Sequence, residues 1–200
     1  MLPSSFIIIT FILRLLGSAV YIRAIIKGQV RPNLLSWFLW SLTPLIAFAA
    51  VARAGEGASG LGMLALALSA VVVLIVALWR RAGIVKLDAA NVACVLFAIV
   101  GIVLWQVSAN PNLAIIAAIL ADIASAVPTL RKIAKEPWTE YAPTYVLSAS
   151  AMVIALLVIE DWSFAVVAFP VYTLTINILG SVAIVLLGYK LRHVHPFTVY

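Results

Sequence analysis

The chain has 200 residues, of which 66% are hydrophobic and only 10% charged, with a net charge of +6. A soluble domain of this length could not hide that much apolar surface, and the long apolar runs approach the ~20 residues that cross a ~30 Å hydrocarbon core. The composition excludes a soluble globular domain. The positive charge lies in short loops between apolar runs, where it acts as a topology signal and does not point to nucleic acid.

Seven spans are expected in chain order, at about 5–27, 34–53, 60–79, 89–108, 112–131, 142–159 and 163–189. The first is not expected to be a signal peptide, because it lacks a basic leader and Arg14 interrupts its apolar run. "KGQVRPN" closes it, and "RAGEGASG" and "RRAGIVKLD" bound the third span. "SANPN" turns the chain into the fifth span, "KEPWTE" follows it, and "EDW" precedes the seventh. Cys94 is the single cysteine and falls inside the fourth span, so no internal disulfide can form.

All Lys and Arg except Arg14 and Arg53 fall in the 1–2, 3–4 and 5–6 connections or the tail. Basic connections stay in the cytoplasm, so the N-terminus is expected outside and the C-terminus inside. The expected location is the inner (cytoplasmic) membrane, crossed several times. An offset of 107 residues matches Ser18-Ala19-Val20 to Ser125-Ala126-Val127, Ile26 to Ile133 and Ser41 to Ser148. This pairs spans 1 and 2 with 5 and 6 and leaves span 4 as a linker. The expected fold is an all-α integral membrane protein with a 3+1+3 parallel repeat: residues 1–86, a linker helix over 87–110, and residues 111–200 with a short tail.

Three polar residues share mid-membrane depth: Arg14, Asp122 and Asn177. Ionisable residues there are rare and usually functional. Arg14 and Asp122 are expected to pair across the two halves, either as a structural salt bridge or as a pair that substrate or a proton can switch. Span 2 offers Trp37, Trp40, Ser41 and Pro44 on one stripe, and span 6 offers Tyr141, Tyr145, Ser148 and Met152. With span 7 they would line a pocket with flat apolar walls and a few hydrogen-bonding groups. Trp37 could equally be an interfacial anchor, as Trp79, Trp105, Trp138 and Trp162 are read. Gly17, Ser18, Gly180 and Ser181 are read as helix-packing positions, and Asn177 as an interhelical hydrogen bond or a substrate contact. Pro44, Pro128, Pro143 and Pro170 are read as helix kinks. His193 and His195 are assigned to a solvated tail.

The layout, the ends of spans 1 and 5, the aromatic starts of spans 2 and 6 and the polar seventh span resemble the SWEET and PQ-loop superfamily. The name-giving Pro-Gln pair is incomplete, with Pro128-Thr129 in one half and Tyr21-Ile22 in the other. The chain also resembles small bacterial membrane proteins with "RPN..SW..W" and "AD.....PT..K" blocks. The resemblance implies a central pocket and a facilitative or proton-coupled carrier for a sugar, amino acid or vitamin, with an acid in span 5 near Asp122 as the coupling group. The alternative is a non-transporting receptor or assembly factor using the same pocket. No enzyme motif is present, and neither a cofactor nor a metal site is expected. The expected partners are a small-molecule solute and membrane lipid, with a homo-oligomer allowed and nucleic acid excluded.

Overall fold

The computed structural model describes residues 2–83 and 110–192, with isolated helical positions between 89 and 103. The linker helix, with Cys94 and Trp105, falls largely outside the described residues, and the tail histidines fall wholly outside them. After a short 3-10 turn, Ser4–Phe6, the helices are α1 (Ile7–Ile26), α2 (Leu34–Arg53), α3 (Leu61–Trp79), α4 (Pro111–Lys135), α5 (Ala142–Val158) and α6 (Phe164–Arg192). A second 3-10 turn, Pro137–Thr139, joins α4 to α5, and no strand occurs among the described residues.

Local chemistry sets the helix ends. Asn33 caps α2 by accepting from the amides of Leu35 and Ser36, and Asn110 caps α4 through Asn112, with Pro111 in the first turn. Gly28 ends α1 at φ +68°, where the Gln29 amide reaches back to the Ala24 carbonyl and the Gly28 amide to Ile25. This left-handed reversal favours glycine and satisfies carbonyls that would otherwise lack donors.

Among the described residues, five helices are long and apolar enough to cross a membrane: Ser4–Ile26, Leu34–Arg53, Leu61–Trp79, Pro111–Lys135 and Phe164–Lys190. The helix over the sixth expected span has only 17 residues. At 1.5 Å per residue it is about 25 Å long, short of a full hydrocarbon core. Pro143 lies in its first turn and starts the helix, where a kink was expected. Pro44, Pro128 and Pro170 are inside helices as expected. Outward faces are apolar: Ile8, Ile12, Leu15 and Leu16 on α1, and Leu179, Val182, Val185 and Leu186 on α6, are all exposed. Such a continuous apolar girdle suits lipid and would aggregate in water. The fold is that of a membrane-embedded helical protein.

Packing is selective. α2 packs on α3 and α5 on α6; α1 packs on α3 and α4 on α6; α1 also packs on α5, and α2 on α4. α1 and α4 do not touch each other. The interfaces use small residues. A Cβ placed on Gly62 of α3 would stand 2.8 Å from the Cβ of Ala155 on α5, closer than two carbons can approach. Gly62→Ala should therefore lower the unfolding temperature in detergent by the equivalent of about 1–3 kcal/mol of overpacking. Adding Ala155→Gly removes the opposing atom and should recover part of the loss. Equal stability of Gly62→Ala and the parent would show that these helices do not meet as described.

Candidate functional site

A cavity of about 80 Å³ lies within the bundle, room for several waters or one compact solute. Its walls come from both halves of the chain. Arg14, Gly17 and Ser18 enter from α1, Trp37 and Trp40 from α2, and Asp122 from α4. Thr144, Tyr145 and Ser148 come from α5, and Thr173, Ile176 and Asn177 from α6. All six residues singled out in the sequence, Arg14, Trp37, Trp40, Asp122, Tyr145 and Asn177, thus border one space.

The expected pairing of Arg14 with Asp122 is not what the structure contains. No carboxylate among the described residues lies within ion-pair distance of Arg14; a salt bridge joins Lys132 to Glu140 instead. The reason is topological. Equal depth was expected from the sequence, but the two helices do not pack on each other, and the two charges enter the cavity from helices that are not neighbours. Each instead uses neutral partners. Arg14 donates from Nε (3.1 Å) and Nη2 (2.8 Å) to Ser69 Oγ, whose own proton goes to the Leu66 carbonyl at 2.7 Å. Asp122 accepts from Thr43 Oγ1 at 2.6 Å on one oxygen and from the Tyr172 hydroxyl at 2.8 Å on the other. Two hydroxyl donors on two oxygens suit a carboxylate, which accepts only.

Ser69, Thr43 and Tyr172 were not singled out in the sequence. Hydroxyls in apolar helices commonly bond back to their own turn, as Ser41 does to Trp37 and Thr175 to Val171, so they carry little signal. Tyr172 had one weak cue: it follows Pro170 and precedes the polar Thr173 on the seventh span.

Asn177 borders the cavity while its amide donates to the Thr173 carbonyl of its own helix at 2.8 Å. Trp37 is buried among core residues, with its ring 4.8 Å from Tyr21 and 5.4 Å from Trp40, so it is not an interfacial anchor. Trp79, Trp138 and Trp162 are exposed, as interfacial anchors would be. Gly180 makes room for the Tyr145 ring, 3.1 Å from where its Cβ would stand, and Gly17 lies beside Leu147.

Positions 108 apart recur around the cavity, one more than the offset that aligns the sequence motifs. They relate Arg14 to Asp122 and Trp37 to Tyr145. They also relate two hydrogen bonds: Ser36 Oγ to the Ser125 carbonyl at 2.8 Å, and Thr144 Oγ1 to the Gly17 carbonyl at 3.3 Å.

Beyond the tryptophans, at the end carrying the basic connections, Glu140 gathers a second polar cluster. It is 5% exposed and accepts from Tyr21 at 3.1 Å, from Tyr145 at 3.2 Å and from Lys132. Lys132 also donates to the Arg31 carbonyl at 2.6 Å, and the Arg31 amide to the Thr139 carbonyl at 3.3 Å. The cluster ties α1, both connections, the end of α4 and α5 together. Its sequence cue was weak, since Glu140 is one of two acids in "KEPWTE", which reads as a solvated loop until the fold buries it. The opposite end is apolar, with Ala47, Met63, Ile115, Val166 and Phe169 in one core cluster.

Comparisons with family models, with curated proteins and with solved structures return no match for this chain.

Removing one donor from a buried carboxylate typically costs about 1.5–3 kcal/mol. Tyr172→Phe and Thr43→Val should each lower stability in detergent by that order, whereas Thr175→Val, exposed on α6 with its hydroxyl bonded to its own turn, should change little. Thermal or denaturant unfolding of the purified variants measures this. Indistinguishable curves for all three would mean that Asp122 does not depend on these hydroxyls.

Proposed function

We propose that the chain is a membrane carrier that moves a small polar solute by alternating access at this cavity. The observation that carries the reading is a cavity lined by residues of both halves, with a cation and an anion that come from two helices not packed on each other. Buried charges that lack a counter-ion are costly, and within membrane proteins they mark solute and ion pathways. The two ends of the bundle differ in chemistry. Hydrogen bonds and one ion pair hold the basic end, and apolar side chains fill the other. Polar contacts can exchange with water while apolar surfaces slide, so each end has its own means of opening.

The proposed architecture is seven spans in a 3+1+3 parallel repeat of the SWEET and PQ-loop kind, in the inner membrane with the N-terminus outside. The packing supports it, because exchanging α1, α2, α3 with α4, α5, α6 maps the set of packed helix pairs onto itself. The two hydrogen bonds related by 108 residues support it again. Solute sites in repeat carriers lie at the interface between repeats, near the bilayer midplane.

Reconstituted in liposomes, the protein should catalyse saturable uptake of at least one labelled solute among sugars, amino acids and vitamins, and Trp40→Ala should reduce that uptake at least about tenfold. Binding without flux for any solute would favour a receptor. Orientation has its own test in a Cys94→Ser background. A membrane-impermeant maleimide added outside cells should label Ser59→Cys and spare Gln29→Cys, and the reverse pattern would invert the topology.

A further inference from the structure

The carrier reading leaves the solute open, but the charges on the cavity walls narrow its chemistry. The solute class inferred from those charges rests on that reading. Arg14 and Asp122 are the charged side chains lining the cavity among the described residues, and each is held only by neutral hydroxyls. Among those residues, Nη1 of Arg14 has no hydrogen-bond partner and no side-chain nitrogen is both buried and unsatisfied, so Nη1 keeps accessible surface on a side chain that lines the cavity. Each Asp122 oxygen has accepted one hydrogen bond and retains a second lone-pair direction.

A neutral polyol in this space would leave both charges without a counter-ion. A simple anion would suit Arg14 and be repelled by Asp122, and a simple cation would meet the converse. A molecule with an anionic and a cationic end satisfies both walls at once and keeps the whole site neutral. We propose that the cavity binds a small amino acid as its zwitterion, the carboxylate on Arg14 and the ammonium on Asp122. The ammonium donates to an Asp122 oxygen, and the guanidinium donates to the carboxylate in a charge-assisted bond. Trp37, Trp40 and Tyr145 supply flat apolar walls for the remaining carbons. The 108-residue relation between Arg14 and Asp122 gives the ligand opposite charges at corresponding places in the two halves, so a head-to-tail solute sits with one end in each.

The test is thermal unfolding of the purified full chain in detergent. The probes are the protein amino acids, β-alanine and γ-aminobutyrate, with propionate, propylamine, glycerol and glucose as controls. At least one amino acid should raise the unfolding temperature in a concentration-dependent way and bind about tenfold or more tightly than the one-charge controls. The α, β and γ series reports the separation of the two walls. In Asp122→Asn the preference should pass to propionate, and in Arg14→Gln to propylamine; a purely structural role would move neither. If either variant fails to fold, the wild-type panel decides alone. Stabilisation by glucose or glycerol without any amino acid, equal effects of propionate and alanine, or no effect of any amino acid would overturn the proposal. An amino acid that binds but is not taken up by proteoliposomes upholds this site and removes the carrier reading. Uptake of a neutral solute with no amino-acid binding does the reverse.

Discussion

Two opposite charges, Arg14 and Asp122, are buried in one apolar bundle without touching each other, and much of the interior follows from that constraint. A charge taken out of water and denied a counter-ion costs several kcal/mol, so each must be surrounded by dipoles that point the right way. Ser69 turns its proton toward Leu66 and offers lone pairs to Arg14. Tyr172 turns its proton toward Asp122, and Thr43, whose hydroxyl also has the Leu39 carbonyl at 3.0 Å, has Asp122 as its nearer acceptor. Those three hydroxyls come from α3, α2 and α6, so holding the charges also fixes how those helices sit around α1 and α4. Had α1 and α4 packed together, the charges would have cancelled and left no polar space. Their separation across the cavity keeps both available.

The Glu140 cluster performs a related task at the basic end. A single carboxylate collects Tyr21, Tyr145 and Lys132, and the aromatic series Tyr21, Trp37 and Trp40 connects it to the cavity. Tyr145 belongs to both places, bordering the cavity with its ring and bonding Glu140 with its hydroxyl. Anything that displaces Tyr145 therefore disturbs the Glu140 cluster. If the chain is a carrier, this contact would link occupancy of the cavity to the basic end. Gly180, lacking a side chain, leaves the space that the Tyr145 ring occupies.

Much of this fold was legible in hydropathy alone. The second span was expected at 34–53 and the helix is Leu34–Arg53, because Asn33 caps one end and Arg53 with Gly55 marks the other. α4 runs a turn past its expected end, to Lys135, since Arg131 and Lys132 continue the helix toward water although they stop the apolar run. The candidate residues were legible as chemical oddities: a carboxylate, a guanidinium and an amide in lipid-like sequence. Their partners were not. Equal depth along two helices says nothing about adjacency, which depends on which helices pack, and that is why Arg14 and Asp122 were matched to each other. Serine, threonine and tyrosine hydroxyls look alike whether they bond their own turn or a distant charge. Glu140 was hidden for another reason, since burial of a loop acid is a property of the assembled connections and not of its neighbours in sequence.

The central claim is that water and small solutes reach the space between Arg14 and Asp122. Substituted-cysteine accessibility tests it most directly, in a Cys94→Ser background, with Ser148→Cys on the cavity wall and Val153→Cys on the exposed apolar face of the same helix. In membranes, a small charged methanethiosulfonate should modify Ser148→Cys and leave Val153→Cys untouched. If Ser148→Cys is as inert as Val153→Cys, the space is closed packing and the account is contradicted.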